Sequence, residues 1–220
     1  MERELRITGD GSHTLALANT PVTYHSHHGA FAESRHIFLE AGFYYQVSQW
    51  PGTALRILEM GFGTGLNALL TLLAARETQV TVTYTSMEAY PLSQTEYAAL
   101  NHGVLLSSQD EFLSLHQSPW EKPSTIDPCF ILTKLACFLA DAILPGQQHL
   151  VYFDAFAPDI QPELWNEPVF EKFYACLNPG GVLVTYCSKT TVRKAMAAVG
   201  FRVEKLPGPK GKREIVRAHK

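Results

Sequence analysis

Four kinds of signal are scarce in this 220-residue chain, and each scarcity narrows the reading. Cysteine occurs only four times, at Cys129, Cys137, Cys176 and Cys187, and no two form a CxxC pair. Neither a zinc site nor a redox dithiol is therefore expected. No run of about eighteen apolar residues is present, so no membrane-spanning helix is expected. Behind Met1-Glu2-Arg3-Glu4 there is no apolar stretch, so a secretory leader is not expected and a cytoplasmic location is. Charge is also modest: 18% of residues are charged and the formal net charge is -3, too little for a nucleic-acid binder that works through its overall field.

What is present reads as a globular chain, 46% hydrophobic and long enough to bury a core without metal or disulfide. The charge is uneven. Seven basic residues against two acidic ones fill Arg202–Lys220, a local excess of five, which leaves the rest near -8. Such a tail suits phosphate, and equally a solubilising edge.

Residues 1–50 read as an extension packing on a core of residues 51–220. Ile7-Thr8 and Thr14–Leu17 predict short strands around Gly9-Asp10-Gly11, and Ala32–Ala41 predicts a helix stopped at Gly42. From Pro51-Gly52 onward, strand and helix patterns alternate. Strands are expected at Arg56–Met60, Val80–Glu88, Phe130–Ala136, His149–Phe156 and Val182–Cys187. Helices are expected at Leu66–Ala75, Ser93–Asn101, Glu163–Leu177 and Thr190–Val199, with Ser93 and Glu96 as a capping box. Phe201–Leu206 and Glu214–Ala218 predict a closing antiparallel pair, and residues 103–129 read as a long loop or insertion. Repeated strand–helix units imply an α/β, Rossmann-like fold: a mostly parallel sheet with helices on both faces and an antiparallel edge strand. That edge is typical of the methyltransferase variant.

The turn Glu59-Met60-Gly61-Phe62-Gly63-Thr64-Gly65 sits between a strand and a helix. Its spacing differs from the G-x-G-x-x-G of a dinucleotide site. A carboxylate two residues before the first glycine repels a pyrophosphate and suits an ammonium, which favours S-adenosylmethionine. Glu88, at the end of the next strand, reads as a ribose ligand or a surface acid. Asp141 reads as an adenine partner or a helix cap.

Asp154 emerges from the apolar strand Val151-Tyr152-Phe153, at the end of the sheet where ligands bind, and is the catalytic candidate. Phe156 and Pro158 follow it as apolar neighbours. Trp165 reads as a stacking platform or as core. The histidines of Tyr24-His25-Ser26-His27-His28 are too close in sequence to close a metal site readily. With Glu33 and Ser34, this stretch reads instead as a loop facing a nucleotide.

Taken together, Tyr24-His25-Ser26, Gly29-Ala30, Glu33-Ser34, Glu59–Gly65, Asp154-Ala155-Phe156-Ala157-Pro158, Pro162-Glu163-Leu164-Trp165 and Gly211-Lys212-Arg213-Glu214 resemble, in that order, the bacterial wobble-uridine tRNA methyltransferases. That family includes the methyltransferase half of the bifunctional 5-methylaminomethyl-2-thiouridine biosynthesis protein and its single-domain relatives. The resemblance spans about residues 20–220. Thr190 and Ile215 depart from it where glycine and methionine are common, and segment 103–129 has no clear match.

The resemblance implies methyl transfer from S-adenosylmethionine to the exocyclic amine of 5-aminomethyl-(2-thio)uridine at tRNA position 34. Glu59, Gly61, Phe62, Gly63, Gly65 and Glu88 would hold the cofactor, and Asp154 would lie by the target nitrogen. Tyr24, Glu33, Ser34, Phe156, Pro158, Trp165, Lys210, Lys212 and Arg213 would meet the anticodon loop, the last three through phosphate. Because the chain stops at Lys220, the flavin-dependent half is expected to be missing, and the amine to arrive ready-made, from a partner or an earlier step. Two rival readings stand beside it. One is a methyltransferase for a small-molecule or protein amine. The other is a binding module on the same fold without catalysis.

Overall fold

Short apolar strands separated by glycine turns build one eight-stranded sheet and a separate hairpin in the computed structural model, which describes residues 2–220. The hairpin pairs β1 (Arg3–Ile7) with β2 (His13–Leu17) in antiparallel register. A helical stretch follows: α1 (Ala30–Ser34), a wider π-helical segment (Arg35–Tyr44) and α2 (Tyr45–Gln49). Gly42, expected as a stop, lies inside this stretch. A Cβ there would stand 3.1 Å from Val184 Cγ2 and 3.2 Å from Tyr152 Cε1, so the missing side chain lets the helix lie close on the sheet.

β3 (Leu55–Met60), α3 (Leu66–Thr78) and β4 (Val82–Met87) come next. Then α4 (Gln94–Ala98) carries the Ser93–Glu96 capping box expected from sequence. Segment 103–129 is not a loop. It holds most of α5 (His102–Leu105), α6 (Gln109–Gln117) and β5 (Ser124–Asp127). Phe112 and Leu115, three residues apart on α6, are fully buried, and that spacing was the available signal. The order continues with β6 (Phe130–Leu135), β7 (Gln148–Phe153), α7 (Glu167–Cys176), β8 (Leu177–Thr185), α8 (Thr190–Ala198), β9 (Arg202–Pro207) and β10 (Glu214–His219).

The sheet order is β5-β6-β4-β3-β7-β8-β10-β9. Strands β6, β4, β3, β7 and β8 are parallel, while β10 runs antiparallel to both β8 and β9, and β5 antiparallel to β6. The strand after the last hairpin is thus not the outermost one. Ile215, Val216 and Ala218 of β10 are fully buried, whereas β9 carries Arg202, Glu204 and Lys205. The apolar strand enters the sheet and the charged one covers the edge. The chain order reverses between β3 and β7, which opens a crevice beyond their carboxyl ends.

Apolar side chains pack on both faces. The π segment, α3 and α6 cover one, and α7 and α8 the other. No helix among the described residues is long and apolar enough to cross a membrane.

Candidate active site

The crevice is a cleft of about 310 Å³ bordered by the glycine turn, the ends of β4 and β7, the loop before α1 and the β9–β10 loop. The turn leaves β3 with Gly61, Gly63 and Gly65 at φ +94, +51 and +72. A Cβ on Gly61 would stand 2.8 Å from the Asp154 carbonyl oxygen. Only glycine meets both demands, a left-handed backbone and a close neighbour. The backbone N–H groups of Gly61 and Phe62 donate to the Met87 carbonyl, tying the turn to the end of β4. Phe62 itself is buried and lines the cleft from below.

Glu88 lines the cleft half-buried. Its Oε2 accepts from Gly63 N at 2.9 Å and its Oε1 from Tyr90 N at 2.8 Å. It therefore braces the glycine turn as well as facing the cavity.

Beneath the turn lies an acidic end. Glu59 is fully buried. Ser86 Oγ donates to its Oε2 at 2.6 Å, while Oε1 has no partner among the described residues. Burial pushes the Glu59 carboxyl up to about 8, with the nearby Asp154 charge adding to the rise. Glu59 does not border the cleft itself; the side chain that does is Asn67, from the first turn of α3. Asn67 Nδ2 donates to Asp154 Oδ2 at 2.9 Å, and its own buried Oδ1 has no partner. Asp154 faces the cleft. Burial raises its carboxyl to about 7, the Glu33 charge adds to this, and the Asn67 bond and Lys212 oppose it.

Sequence reasoning missed Asn67. An amide in a helical stretch, Leu66–Leu73, whose only other polar residue is Thr71 was the available signal.

Against the turn, where a Cβ on Gly63 would stand 3.3 Å from Tyr24 Cδ1, Tyr24 and Phe156 meet edge to face, 5.1 Å between centroids. Arg3 Nε donates to Tyr24 Oη at 2.7 Å, and its Nη1 donates to Glu96 Oε1 at 2.9 Å, so the hairpin braces this wall. Glu33 lines the cleft, its Oε2 accepting from Ser26 N at 2.7 Å. Tyr186, a second side chain that sequence reasoning missed, also lines it and donates its hydroxyl to the Ala155 carbonyl at 2.8 Å.

The remaining expected residues fall outside this group. Asp141 is exposed in a turn whose backbone bond runs to Phe138, away from the cleft, so its adenine role is not supported. Trp165 is core: only 6% exposed, packed on Phe153, Phe170 and Tyr186. Its Nε1 donates to the Phe156 carbonyl at 2.8 Å and fixes the loop after Asp154, which leaves no free ring face for a base. Ser34 is buried without touching the cleft, and Pro158 is half-buried beside it. Lys210 and Arg213 are exposed on the β9–β10 loop, whereas Lys212 turns inward and borders the cleft. Among the three neighbouring histidines, His25 is buried between Thr14 and Thr64, while the His27 and His28 rings touch at a tilt of 40°.

A cationic amino-acid nucleoside fits this arrangement. Among the described residues, Asn67 keeps an unpartnered oxygen at one end with that of Glu59 behind it, and Glu88 faces the cavity beside the glycine turn. A pyrophosphate fits poorly, since three carboxylates, Glu33, Glu88 and Asp154, border the cleft.

Comparison with known proteins agrees. Residues 132–220 match the family model described as S-adenosyl-L-methionine-dependent methyltransferase. The chain is 34% identical over 210 residues to the tRNA 5-methylaminomethyl-2-thiouridine biosynthesis bifunctional protein MnmC of Paracidovorax citrulli, covering 89% of this chain and 32% of that one. It is 30% identical over 216 residues to the MnmC of Leptospira interrogans, covering 90% and 33%. The chain thus spans about a third of the length of these curated relatives. In fold it is similar to the crystal structure of MnmC2 from Aquifex aeolicus, at TM-score 0.79 and 24% identity over 99% of this chain and 70% of that one.

Proposed function

We propose that the chain is an S-adenosyl-L-methionine-dependent methyltransferase of the MnmC type and that it methylates the exocyclic amine of 5-aminomethyl-(2-thio)uridine at the wobble position of tRNA, a reading supported by the family-model match of residues 132–220 and by the MnmC relatives. The observation that carries the chemistry is Asp154. Its carboxylate faces the cleft beside the glycine turn, is held at one oxygen by Asn67, and has its protonation poised near neutrality.

S-adenosylmethionine, when bound, supplies an electrophilic methyl carbon. Gly61 and Gly63 would floor its site, with Gly65 outside the cleft completing the turn into α3, Glu88 would face its ribose, and Asn67 Oδ1 backed by Glu59 would take its ammonium. An amine attacks only with a free lone pair, so the protein's task is to position it and remove a proton. Asn67 occupies Asp154 Oδ2, which leaves Oδ1 to accept that proton. A carboxyl raised to about 7 is a usable base at physiological pH, where an ordinary aspartate is too weak. Tyr24 and Phe156 line the wall where an everted base would stack and exclude water. Lys210 and Arg213, exposed on the loop above, suit backbone phosphate.

The reading predicts that Asp154→Ala keeps S-adenosylmethionine binding within about threefold and loses at least about a hundredfold in kcat on undermodified tRNA. Full turnover by that variant would remove Asp154 from the reaction.

A further inference from the structure

Among the described residues, the one lysine or arginine bordering the cleft is Lys212, set among Glu33, Glu88 and Asp154. Its ammonium does not point to solvent. Nζ stands 3.4 Å from Glu33 Oε1 and 4.5 Å from the centroid of the Tyr186 ring. The Glu33 side chain is only 12% exposed, and its other oxygen is held by the Ser26 N–H, so the carboxylate is fixed in place. The Tyr186 ring is fixed by its hydroxyl bond to the Ala155 carbonyl, one residue after Asp154. An aromatic face, a fixed carboxylate and a nearby second carboxylate form a seat for a primary ammonium.

The lysine is delivered there by the loop between β9 and β10. Gly208 N donates to the Arg213 carbonyl, and Lys212 N to the Pro209 carbonyl. A Cβ on Gly208 would stand 2.3 Å from the Lys212 carbonyl oxygen, so this tight loop depends on glycine. The loop backbone is thus constrained while the four-carbon lysine stem above it is free to swing. A lysine ammonium and an aminomethyl group are the same chemical species, a primary alkylammonium.

We infer that Glu33 and Tyr186 form the seat that recognises the cationic amine of the acceptor, and that Lys212 fills this seat in the free protein and leaves it when the acceptor enters. That the natural occupant is a nucleoside aminomethyl group rests on the function proposed above; that the seat takes a primary alkylammonium does not. The arrangement screens acceptors twice. A neutral substituent cannot displace the lysine, because it would leave Glu33 without a counter-charge. A cationic one restores the ion pair and frees Lys212 for solvent or a phosphate oxygen.

The test measures binding rather than turnover. n-Propylammonium is titrated at constant ionic strength into the wild-type protein, Lys212→Met, and Lys212→Met combined with Glu33→Gln, with complexation read by NMR shifts of cleft residues. A seat filled about nine-tenths of the time lowers apparent affinity about tenfold. Lys212→Met should therefore bind n-propylammonium about tenfold more tightly than wild type, with n-propanol unaffected, and the added Glu33→Gln should abolish the gain. Equal affinity in wild type and Lys212→Met, or a gain that survives Glu33→Gln, overturns the proposal. A protein that passes this test yet methylates no tRNA would refute the proposed function and leave the seat standing.

Discussion

Asn67 decides what Asp154 is able to do. Burial and the Glu33 charge raise the Asp154 carboxyl, and the Asn67 amide works against them by stabilising the ionised form. Removing the amide therefore raises this acidity constant further, so a smaller fraction of the enzyme holds the base form at a given pH. Asn67→Leu, similar in size, should move the acid limb of the kcat–pH profile up by about one unit, the scale of a hydrogen bond to a charged group. At pH 7 that appears as roughly a fivefold loss, recovered at higher pH. An unmoved limb in Asn67→Leu would show that a group other than Asp154 controls the profile.

At the scale of elements, the N-terminal hairpin behaves as a brace rather than an appendage. The Arg3 side chain, 5% exposed, binds Tyr24, Glu96 and the Tyr90 carbonyl at once, joining β1 to the cleft wall and to α4. Arg3→Ala leaves the half-buried Tyr24 hydroxyl without that donor and should cost about 1–3 kcal/mol. Hydrogen exchange should accelerate in β1, β2 and around Tyr24 while β3, β4 and β7 stay protected. Uniform acceleration across the sheet would mean the hairpin is integral to global stability instead.

The elements also show where the sequence was informative. Glycine turns and apolar strands declared β3, β7 and β8, because a parallel strand buried on both faces carries a mostly apolar run, and alternation at Val82 and Tyr84 declared β4. Segment 103–129 was opaque because α5 and β5 are four residues each, too short for a period to register. Gly42 misled because its missing side chain serves packing, not termination. In the site, Asp154 and the glycines were legible from position along their strands. Asp141 and Trp165 were not, because a turn direction and a tryptophan's burial are set by tertiary contacts that residue type does not encode.

For the whole molecule, net charge of -3 on the chain conceals how few cations are available to RNA. Within the basic tail, Lys205 pairs with Glu214, Arg217 with Glu204, and Lys220 donates to the Tyr174 and Leu177 carbonyls. Lys212 is inside the cleft. Arg202, Lys210 and Arg213 remain exposed, the last two on the loop that rims the cleft. Their joint replacement, Lys210→Glu with Arg213→Glu, should weaken tRNA binding more at low salt than at high salt and flatten the salt dependence. An unchanged slope would place phosphate contacts elsewhere.

The central claim is that this cleft carries a methyl group to a wobble-position amine. Mass analysis of nucleosides tests it most directly, after the purified protein and isotope-labelled S-adenosylmethionine are incubated with tRNA bearing 5-aminomethyl-(2-thio)uridine. The account predicts one labelled methyl on that nucleoside and none on unmodified uridine. Label absent from tRNA, in a preparation that binds the methyl donor, would contradict it.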